Sequence, residues 1–348
     1  MEYFIDYGLF LAKTATWLVA IFLIITMLIA AGQRSRRQLQ RGNISVMHLN
    51  KELDGLRHGL QRVVLDRFSL KRLLKAEKRR EKDEARKFKT GETTEARRKR
   101  IYVLSFEGDL EASAVESLRQ EVTAVLTMVE AQDEVMVRLE SPGGMVHAYG
   151  LASSQLLRLR EQQIPLTVCV DKVAASGGYM MACVADRILA APFAIIGSVG
   201  VLVQMPNIHR LLKKHDVDME MITAGEYKRT MTPFTEVTEK GREKVRQEVE
   251  EMHELFKQWV KQYRPVLDID QVATGETWVG LQALGHQLVD DISTSDAYIM
   301  DACQQADVYE VRYEIRVPLR EKLGSAAHTA LDKTLLKWWQ RLAQQRLV

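Results

Sequence analysis

The stretch EVMVRLESPGG runs from Glu134 to Gly144, and PLTVCVDKVAASGG runs from Pro165 to Gly178. Each is a short apolar run that ends in a turn with two consecutive glycines, and an amphipathic stretch follows each turn. A short apolar run bounded by turn residues predicts a buried strand. The alternation of strand and helix predicts an α/β fold in which helices cover both faces of a sheet.

The same alternation continues after Arg100 and predicts further elements. The additional strands are expected at IYVLSF (Ile101–Phe106), RILAAP (Arg187–Pro192), VLVQM (Val201–Met205) and DMEMIT (Asp218–Thr223). The helices are expected at Ala112–Glu130, Ala148–Glu161, Ile208–His215 and Thr238–Arg264. The apolar run Ile188–Met205 also suits a second membrane crossing, but Pro192, Gly197 and Gly200 interrupt it, so we prefer a buried strand.

An uncharged segment near the start, TATWLVAIFLIITMLIAAG from Thr14 to Gly32, is about long enough to cross a bilayer as a helix. We therefore predict a transmembrane anchor. A cleaved secretory signal is the alternative, but the segment is long for one and no basic cluster precedes it. The arginines that follow, Arg34, Arg36, Arg37 and Arg41, favour a cytoplasmic position for the rest of the chain.

Positive charge is concentrated between Arg34 and Arg100, although the net charge of the 348 residues is only +3. Leucine and valine recur at helical spacing from Leu49 to Val64, before the sequence becomes almost entirely charged. This pattern predicts a helical stalk and a charged linker, which either bind acidic lipid headgroups or a partner, or form a solvated spacer. We prefer the spacer, and such localised charge gives little support for nucleic-acid binding.

These features divide the sequence into four parts. We predict a transmembrane anchor at 1–33, a basic helical stalk with its linker at 34–100, and an α/β domain at 101–305. A strand and a basic amphipathic helix are expected at 306–348. That helix contains Trp338 and Trp339, and it either packs on a neighbouring subunit or lies on a membrane surface.

The three cysteines, Cys169, Cys183 and Cys303, are scattered along the chain. They lack the close pairing that zinc ligation or a redox motif requires. We therefore expect them to be core residues without a disulfide framework, and we predict no metal and no cofactor.

Both glycine turns, SPGG at Ser141–Gly144 and ASGG at Ala175–Gly178, follow a predicted strand and precede a predicted helix. Backbone N–H groups in such a position favour negative charge, which suits an oxyanion. Parallel strands would bring the two turns side by side. Either turn alone is readily explained as a tight connection, so the pair is the informative observation.

Ser176 lies in the second turn, and a serine hydroxyl needs a base to remove its proton. No histidine is well placed for this role, although His147 follows the SPGG turn closely. A lysine serves as a base when burial keeps its amine neutral. Lys228, in ITAGEYKRT, comes just after a predicted apolar strand and is the preferred candidate. Lys172 is its rival, but a solvated lysine at a strand end is the simpler interpretation of that residue.

A family resemblance is carried by four motifs that occur in order: SPGG, DKVAASGGYMMACVAD (Asp171–Asp186), GSVGV (Gly197–Val201) and AGEYK (Ala224–Lys228). In combination they resemble the signal peptide peptidase A family of serine endopeptidases. The anchor and the basic stalk are similar to those of its SohB-type members. The resemblance covers about Ile101–Asp291.

The resemblance implies a Clp-protease/crotonase-like α/β fold, homo-oligomeric rings and attachment to the inner membrane. The family is described as working at the outer face of that membrane, whereas the arginines after the anchor favour the cytoplasmic side. The sequence leaves this conflict open. Two other functions are carried as alternatives, a crotonase-like acyl-CoA enzyme and a membrane scaffold without catalytic activity.

The resemblance makes Ser176 the nucleophile and Lys228 the base of an endopeptidase that forms an acyl-enzyme. The other implied site residues are Gly143, Gly144 and Gly177 for the oxyanion and Ser198 for the wall of the substrate groove. The implied substrates are hydrophobic peptides, such as remnants of signal sequences. Two departures from the family pattern, Arg229 after the lysine and Val279 inside a Trp-x-Gly, bear on substrate preference more than on catalysis.

Overall fold

Strands and helices alternate along the chain, as the apolar pattern predicts. The structure is a computed structural model that describes residues 42–90 and 98–314 together with Lys13, Thr16 and Trp17. The described strands are β1 (Asn43–His48), β2 (Arg100–Glu107), β3 (Glu134–Glu140), β4 (Leu166–Val170), β5 (Val173–Ala175), β6 (Arg187–Ala190), β7 (Ile195–Gly197), β8 (Thr277–Val279), β9 (Asp291–Ile292) and β10 (Asp307–Glu314). The described helices are α1 (Leu49–Val64), α2 (Arg67–Thr90), α3 (Val115–Leu126), α4 (Val146–Glu161), α5 (Gly177–Ala182), α6 (His209–Lys214), α7 (Glu239–Tyr263), α8 (Ile269–Val272), α9 (Gly280–Gly285) and α10 (Ser295–Gln305).

Seven of the described strands form the main sheet, in the order β1-β10-β2-β3-β4-β6-β9. Every neighbouring pair from β10 to β9 is parallel. A smaller sheet joins β5, β7 and β8, in which β7 pairs parallel with β5 and antiparallel with β8. Helices lie between most of these strands in the chain, so the structure confirms the predicted α/β class.

The central strands of the main sheet, β2, β3 and β4, are buried on both faces, because their side chains alternate between two apolar clusters. On β2, Leu104 packs in the larger cluster with residues of α3, α4 and α5, whereas Val103 packs in a smaller one with Leu49 and residues of α10. Cys183 lies in the larger cluster and Cys169 in the smaller one, as expected of core residues. The sheet therefore gives the loops at its strand ends a rigid support.

Two predicted strands are absent from the described residues. Val201–Met205 and Asp218–Thr223 have irregular backbone and belong to neither sheet. These two predictions were wrong because an apolar run becomes a strand only where a neighbouring strand accepts its hydrogen bonds and its side chains find a surface to pack on. Here Leu202 and Ile222 are 80% and 97% exposed.

The described part of the predicted stalk contains a strand, β1, before its helices. β1 lies beside β10 at one edge of the main sheet, and α1 and α2 follow it. The helical spacing of leucine and valine is therefore observed as α1, whose Leu56, Leu60 and Val63 are exposed. This part of the chain contributes an edge strand to the sheet in addition to its helices.

Among the helices that the structure describes, none combines the length and the apolar character needed to cross a lipid bilayer. The anchor predicted at Thr14–Gly32 lies outside the described residues, apart from Thr16 and Trp17. The amphipathic helix predicted near the end of the chain lies outside them as well. The interrupted run Ile188–Met205 contains most of β6 and all of β7, which agrees with the preferred interpretation as buried strand up to Gly197, whereas Val201–Met205 forms no strand. The compact unit that contains β6, β7 and their neighbours spans Ile44–Tyr313.

Candidate active site

The two glycine turns lie side by side, as parallel strands require. The N–H of Ser141 donates to the carbonyl of Val173 at 2.8 Å, and the N–H of Ala175 donates to the carbonyl of Ser141 at 3.0 Å. The SPGG turn after β3 and the ASGG turn after β5 therefore meet at the same edge of the structure. This arrangement brings Gly143 and Ser176 together from two separate stretches of sequence.

Ser176 has an unusual backbone conformation, with φ +51° and ψ −118°, at the junction between β5 and α5. Its N–H donates to the carbonyl of Gly197 at 2.8 Å, and its carbonyl accepts the N–H of Met180 at 2.9 Å. The side chain is half-buried, and its hydroxyl makes no hydrogen bond with any residue that the structure describes. A sharp turn from strand to helix that leaves a serine hydroxyl available is the geometry of a nucleophile.

Gly143 lies directly against Ser176. Its φ is +90°, and a Cβ added there would lie 2.7 Å from the Cβ of Ser176 and 2.8 Å from the nitrogen of Gly177. The N–H of Gly143 already donates to the hydroxyl of Ser141 at 3.1 Å. The N–H groups of Gly144 and Gly177, by contrast, have no acceptor among the described residues. Two donors that sequence reasoning singled out are thus free to receive an oxyanion.

A buried hydrogen-bond chain supports the SPGG turn. The hydroxyl of Tyr149 donates to the carbonyl of Asp109 at 2.8 Å, so it accepts from the hydroxyl of Ser141 at 2.6 Å. Ser141 in turn accepts the N–H of Gly143. Sequence reasoning missed this chain, because Asp109 and Tyr149 are far apart in the sequence and Tyr149 carries no signal beyond its place on an apolar helix face.

Lys228 lies in an exposed turn, in which its N–H donates to the carbonyl of Gly225 at 3.2 Å. No hydrogen bond joins its amine to the hydroxyl of Ser176 in the part of the chain that the structure describes. The structure therefore brings Ser176, Gly143, Gly144 and Gly177 into one site and leaves the Lys228 side chain in solvent.

The two rival bases are poorly suited to the role. Lys172 forms an ion pair with Glu140 at 2.8 Å, and this hydrogen bond and its charge raise the pKa of Lys172. A raised pKa keeps the amine protonated near neutral pH, so it cannot accept a proton. His147 is exposed and makes no hydrogen bond with a described residue that would orient its ring.

Ser198 follows Gly197, whose carbonyl accepts the N–H of Ser176. Ser198 has φ +52°, is half-buried, and donates its N–H to the carbonyl of Glu276 at 2.6 Å. The ring of Trp278 packs so closely on Gly197 that an added Cβ would lie 2.8 Å from it. The tryptophan of the Trp-x-Gly motif therefore supports the loop on which both Ser176 and Ser198 depend.

Comparison with known proteins assigns the family. Residues 2–156 match the model of the peptidase family S49 N-terminal region, and residues 158–309 match the model of peptidase family S49. The chain is similar to the probable protease SohB of Haemophilus influenzae, with 49% identity over 326 residues that cover 92% of each chain. It is also similar to the probable protease SohB of Buchnera aphidicola from Schizaphis graminum, with 43% identity over 305 residues and 88% coverage of each chain.

A solved structure of a mutant of the 1510-N membrane-bound stomatin-specific protease, in complex with a substrate peptide, has 12% sequence identity and a TM-score of 0.42. The match covers 67% of this chain and 99% of that one, but it is too distant to carry residue assignments. The match to SohB proteases over most of the chain confirms the resemblance drawn from the motifs. It favours a peptidase over an acyl-CoA enzyme or a scaffold. The chain belongs to peptidase family S49, and it is a serine peptidase.

Proposed function

We propose that Ser176 is the nucleophile of this serine peptidase and that Lys228 is its general base. The observation that carries the proposal is the backbone of Ser176, held at φ +51° where β5 meets α5. For a residue other than glycine, this backbone conformation costs about 1–3 kcal/mol in strain. Strain of this kind concentrates at functional sites. The free N–H of Gly177 beside it supports the same assignment, because a nucleophile needs a nearby site for the oxyanion.

The reaction proceeds in two stages. The Oγ of Ser176 attacks the peptide carbonyl carbon while the amine of Lys228 takes the hydroxyl proton. The tetrahedral intermediate collapses as the C–N bond breaks, and Lys228 passes the proton to the leaving amine. Water then attacks the ester on Ser176, Lys228 takes a proton from that water, and the released Oγ regains it.

The oxyanion would be held by the N–H groups of Gly177 and Gly144. Each such donor typically stabilises the transition state by about 3 kcal/mol. Gly143, whose N–H is engaged by Ser141, acts instead by keeping the two turns close together. Ser198 would form part of the groove wall beyond Gly197.

The base has to lie within about 3 Å of the proton that it removes. Lys228 is exposed, so the proposal requires its segment to close on Ser176 when a substrate or a second subunit binds. Several apolar side chains in the stretch that leads to Lys228 are exposed, including Leu202, Val203 and Ile222, and this exposure supports the required closure. Burying them against a partner would stabilise the closed arrangement.

The same exposed apolar residues support hydrophobic peptides as substrates and a homo-oligomer as the working form. Met145 and Val146, which follow the SPGG turn directly, add exposed apolar surface beside the site. Attachment to the inner membrane by a single anchor at Thr14–Gly32 rests on the length and lack of charge of that segment. A Clp-protease/crotonase-like fold is compatible with the parallel sheet and the paired turns.

The test is labelling of the purified full chain with a fluorophosphonate probe, together with cleavage of an apolar fluorogenic peptide. Ser176→Ala and Lys228→Ala should each abolish labelling and cleavage while leaving the unfolding temperature unchanged. Lys172→Ala is the matched control, since its amine is paired with Glu140 and should be dispensable. Substantial cleavage by Lys228→Ala would remove Lys228 from the mechanism.

Membrane topology needs a separate experiment. A reporter fused after Val348 that is active only in the periplasm distinguishes the two orientations. Activity of the periplasmic reporter supports the family's orientation, whereas a silent reporter supports the orientation favoured by Arg34, Arg36, Arg37 and Arg41.

A further inference from the structure

The turn that carries Lys228 has little to hold it in place. Residues 218–229 are all exposed, and the hydrogen bond from the Lys228 N–H to Gly225 only closes the turn on itself. A general base contributes to catalysis only when its position relative to the nucleophile is restricted. The residues that attach this turn to the rest of the molecule therefore decide where Lys228 can go.

The described contacts of this turn with the rest of the chain are made to α7 by the two residues before Lys228. The carboxylate of Glu226 forms an ion pair with the amine of Lys240. The ring of Tyr227 lies 5.9 Å from the amine of Lys240 and 5.6 Å from that of Lys244. Lys240 and Lys244 are four residues apart, so they lie on the same face of the helix and both reach one ring.

The charges in this contact persist at neutral pH. The hydrogen bond with Lys240 lowers the pKa of Glu226, and the hydrogen bond with Glu226 raises the pKa of Lys240. The amines of Lys240 and Lys244 both lie within about 6 Å of the Tyr227 ring centroid, close enough for a cation to interact with the negative face of the ring. The backbone supports the same docking just after Lys228. The carbonyl of Thr230 lies so close to Gly241 of α7 that there is no room for a Cβ at Gly241.

The other half of α7 packs on the helix that follows Ser176 and on the GSVG loop. Phe256 and Val260 are buried in the larger apolar cluster. The indole N–H of Trp259 donates to the carbonyl of Met180, in the helix that begins after Ser176, at 3.1 Å. The Nε2 of His253 lies 3.3 Å from the carbonyl of Val199, in the GSVG loop.

A single helix of 25 residues, about 37 Å long, thus contacts the lysine turn at one end and the serine helix at the other. We propose that α7 carries the lysine turn when this turn closes on Ser176, and that Tyr227 is the positioning residue that keeps the turn docked on the helix in the closed arrangement. The inference rests on the proposed function, because it assigns Tyr227 a task only if Lys228 is the base.

The experiment compares Tyr227→Leu with Tyr227→Phe in the full chain. Phenylalanine keeps the ring face that meets the two ammonium groups, so this variant should cleave the fluorogenic peptide within about twofold of the wild-type rate. Leucine removes the ring, and kcat should fall on the order of tenfold or more while KM stays unchanged. The rate of fluorophosphonate labelling of Ser176 should fall by the same factor, because that step also needs the base.

Two further variants separate docking from folding. Lys244→Met removes one cation from the ring and should lower kcat in the same direction as Tyr227→Leu, whereas Lys244→Arg should restore it. Should Tyr227→Leu fail to fold, Lys244→Met gives the same comparison, because the Lys244 cation lies outside the apolar core.

The outcomes are distinct. Wild-type kcat in Tyr227→Leu would overturn the docking role, and so would a change in KM alone, which would assign Tyr227 to substrate binding. Activity in Lys228→Ala would instead overturn the proposed function. An inactive Lys228→Ala beside a fully active Tyr227→Leu would leave the dyad intact and refute only the role of Tyr227.

Discussion

Gly143 approaches Ser176 so closely that a methyl group added to Gly143 would lie 2.7 Å from the Cβ of Ser176. Its φ of +90° is also unfavourable for any residue with a side chain. Gly143→Ala is therefore expected to push the two turns apart and to lower kcat by about 100-fold, since a small displacement of reacting groups has large effects on rate. Peptide cleavage measured beside thermal unfolding tests this.

Gly150→Ala is the matched control for that substitution. Gly150 lies in α4, and nothing lies within 4 Å of an added Cβ there. Alanine in a helix interior is favoured over glycine by up to about 1 kcal/mol, so this variant should be slightly more stable and fully active. Equal activity of the two variants would contradict the role given to Gly143.

Tyr149→Phe should weaken the support of the SPGG turn. It removes the hydroxyl that joins Ser141 to the carbonyl of Asp109, so the buried hydroxyl of Ser141 loses its acceptor and the carbonyl of Asp109 loses its donor. The expected cost is about 1–3 kcal/mol in the free energy of unfolding, with a lower kcat. Tyr102→Phe is the control, because the buried hydroxyl of Tyr102 has no hydrogen-bond partner among the described residues. Urea denaturation of both variants measures the difference, and equal losses would argue against the chain of hydrogen bonds.

The meeting of the two glycine turns could be predicted from the sequence, because the carboxyl ends of parallel strands lie at one edge of a sheet. That rule connected Gly143 with Ser176, and the motifs shared with the family identified Ser176 as the candidate nucleophile. The order of the strands in the sheet could not be predicted from the sequence. Nothing in the sequence of β10 or β1 indicates that they pair at the edge next to β2.

The segment around Lys228 shows where such reasoning fails. The apolar runs Val201–Met205 and Asp218–Thr223 resemble strands, yet strand formation depends on a partner that the sequence cannot specify. The motif identified Lys228 as a candidate, but its distance from Ser176 depends on contacts with α7 that involve exposed charged residues. Charged residues at helical spacing indicate a solvated helix surface, so the sequence does not predict that Lys240 and Lys244 contact the lysine turn.

The ion pair between Arg264 and Asp290 should contribute strongly to stability. Arg264 is 5% exposed, and its guanidinium binds both carboxylate oxygens of Asp290 at 2.8 and 2.9 Å. Asp290→Ala leaves this buried cation without its counter-charge, and we expect a loss of about 3–5 kcal/mol. Asp291→Ala is the control, since its pair with Arg187 at 3.0 Å is exposed and should be worth less than about 1 kcal/mol. Chemical denaturation that gave the same loss for both variants would refute this prediction.

Glu134 should make the fold sensitive to acid. Its buried carboxylate accepts hydrogen bonds from Lys99 at 2.6 Å, from Thr167 at 2.8 Å and from the hydroxyl of Tyr298. Burial by itself raises the pKa of Glu134, but these hydrogen bonds outweigh burial and hold the pKa below its ordinary value of 4.5. A carboxyl group with a lowered pKa in the folded state stabilises that state only while it is ionised.

The stability from ionised Glu134 is therefore complete above about pH 4.5 and is lost as the pH falls further, because the unfolded chain binds the proton first. Glu134→Gln should be less stable than the wild type at pH 7, since an amide cannot match the charged hydrogen bond with Lys99. Between about pH 5 and pH 3 its free energy of unfolding should fall less steeply than that of the wild type. Urea denaturation at a series of pH values measures both slopes, and parallel curves would mean that Glu134 does not titrate with unfolding.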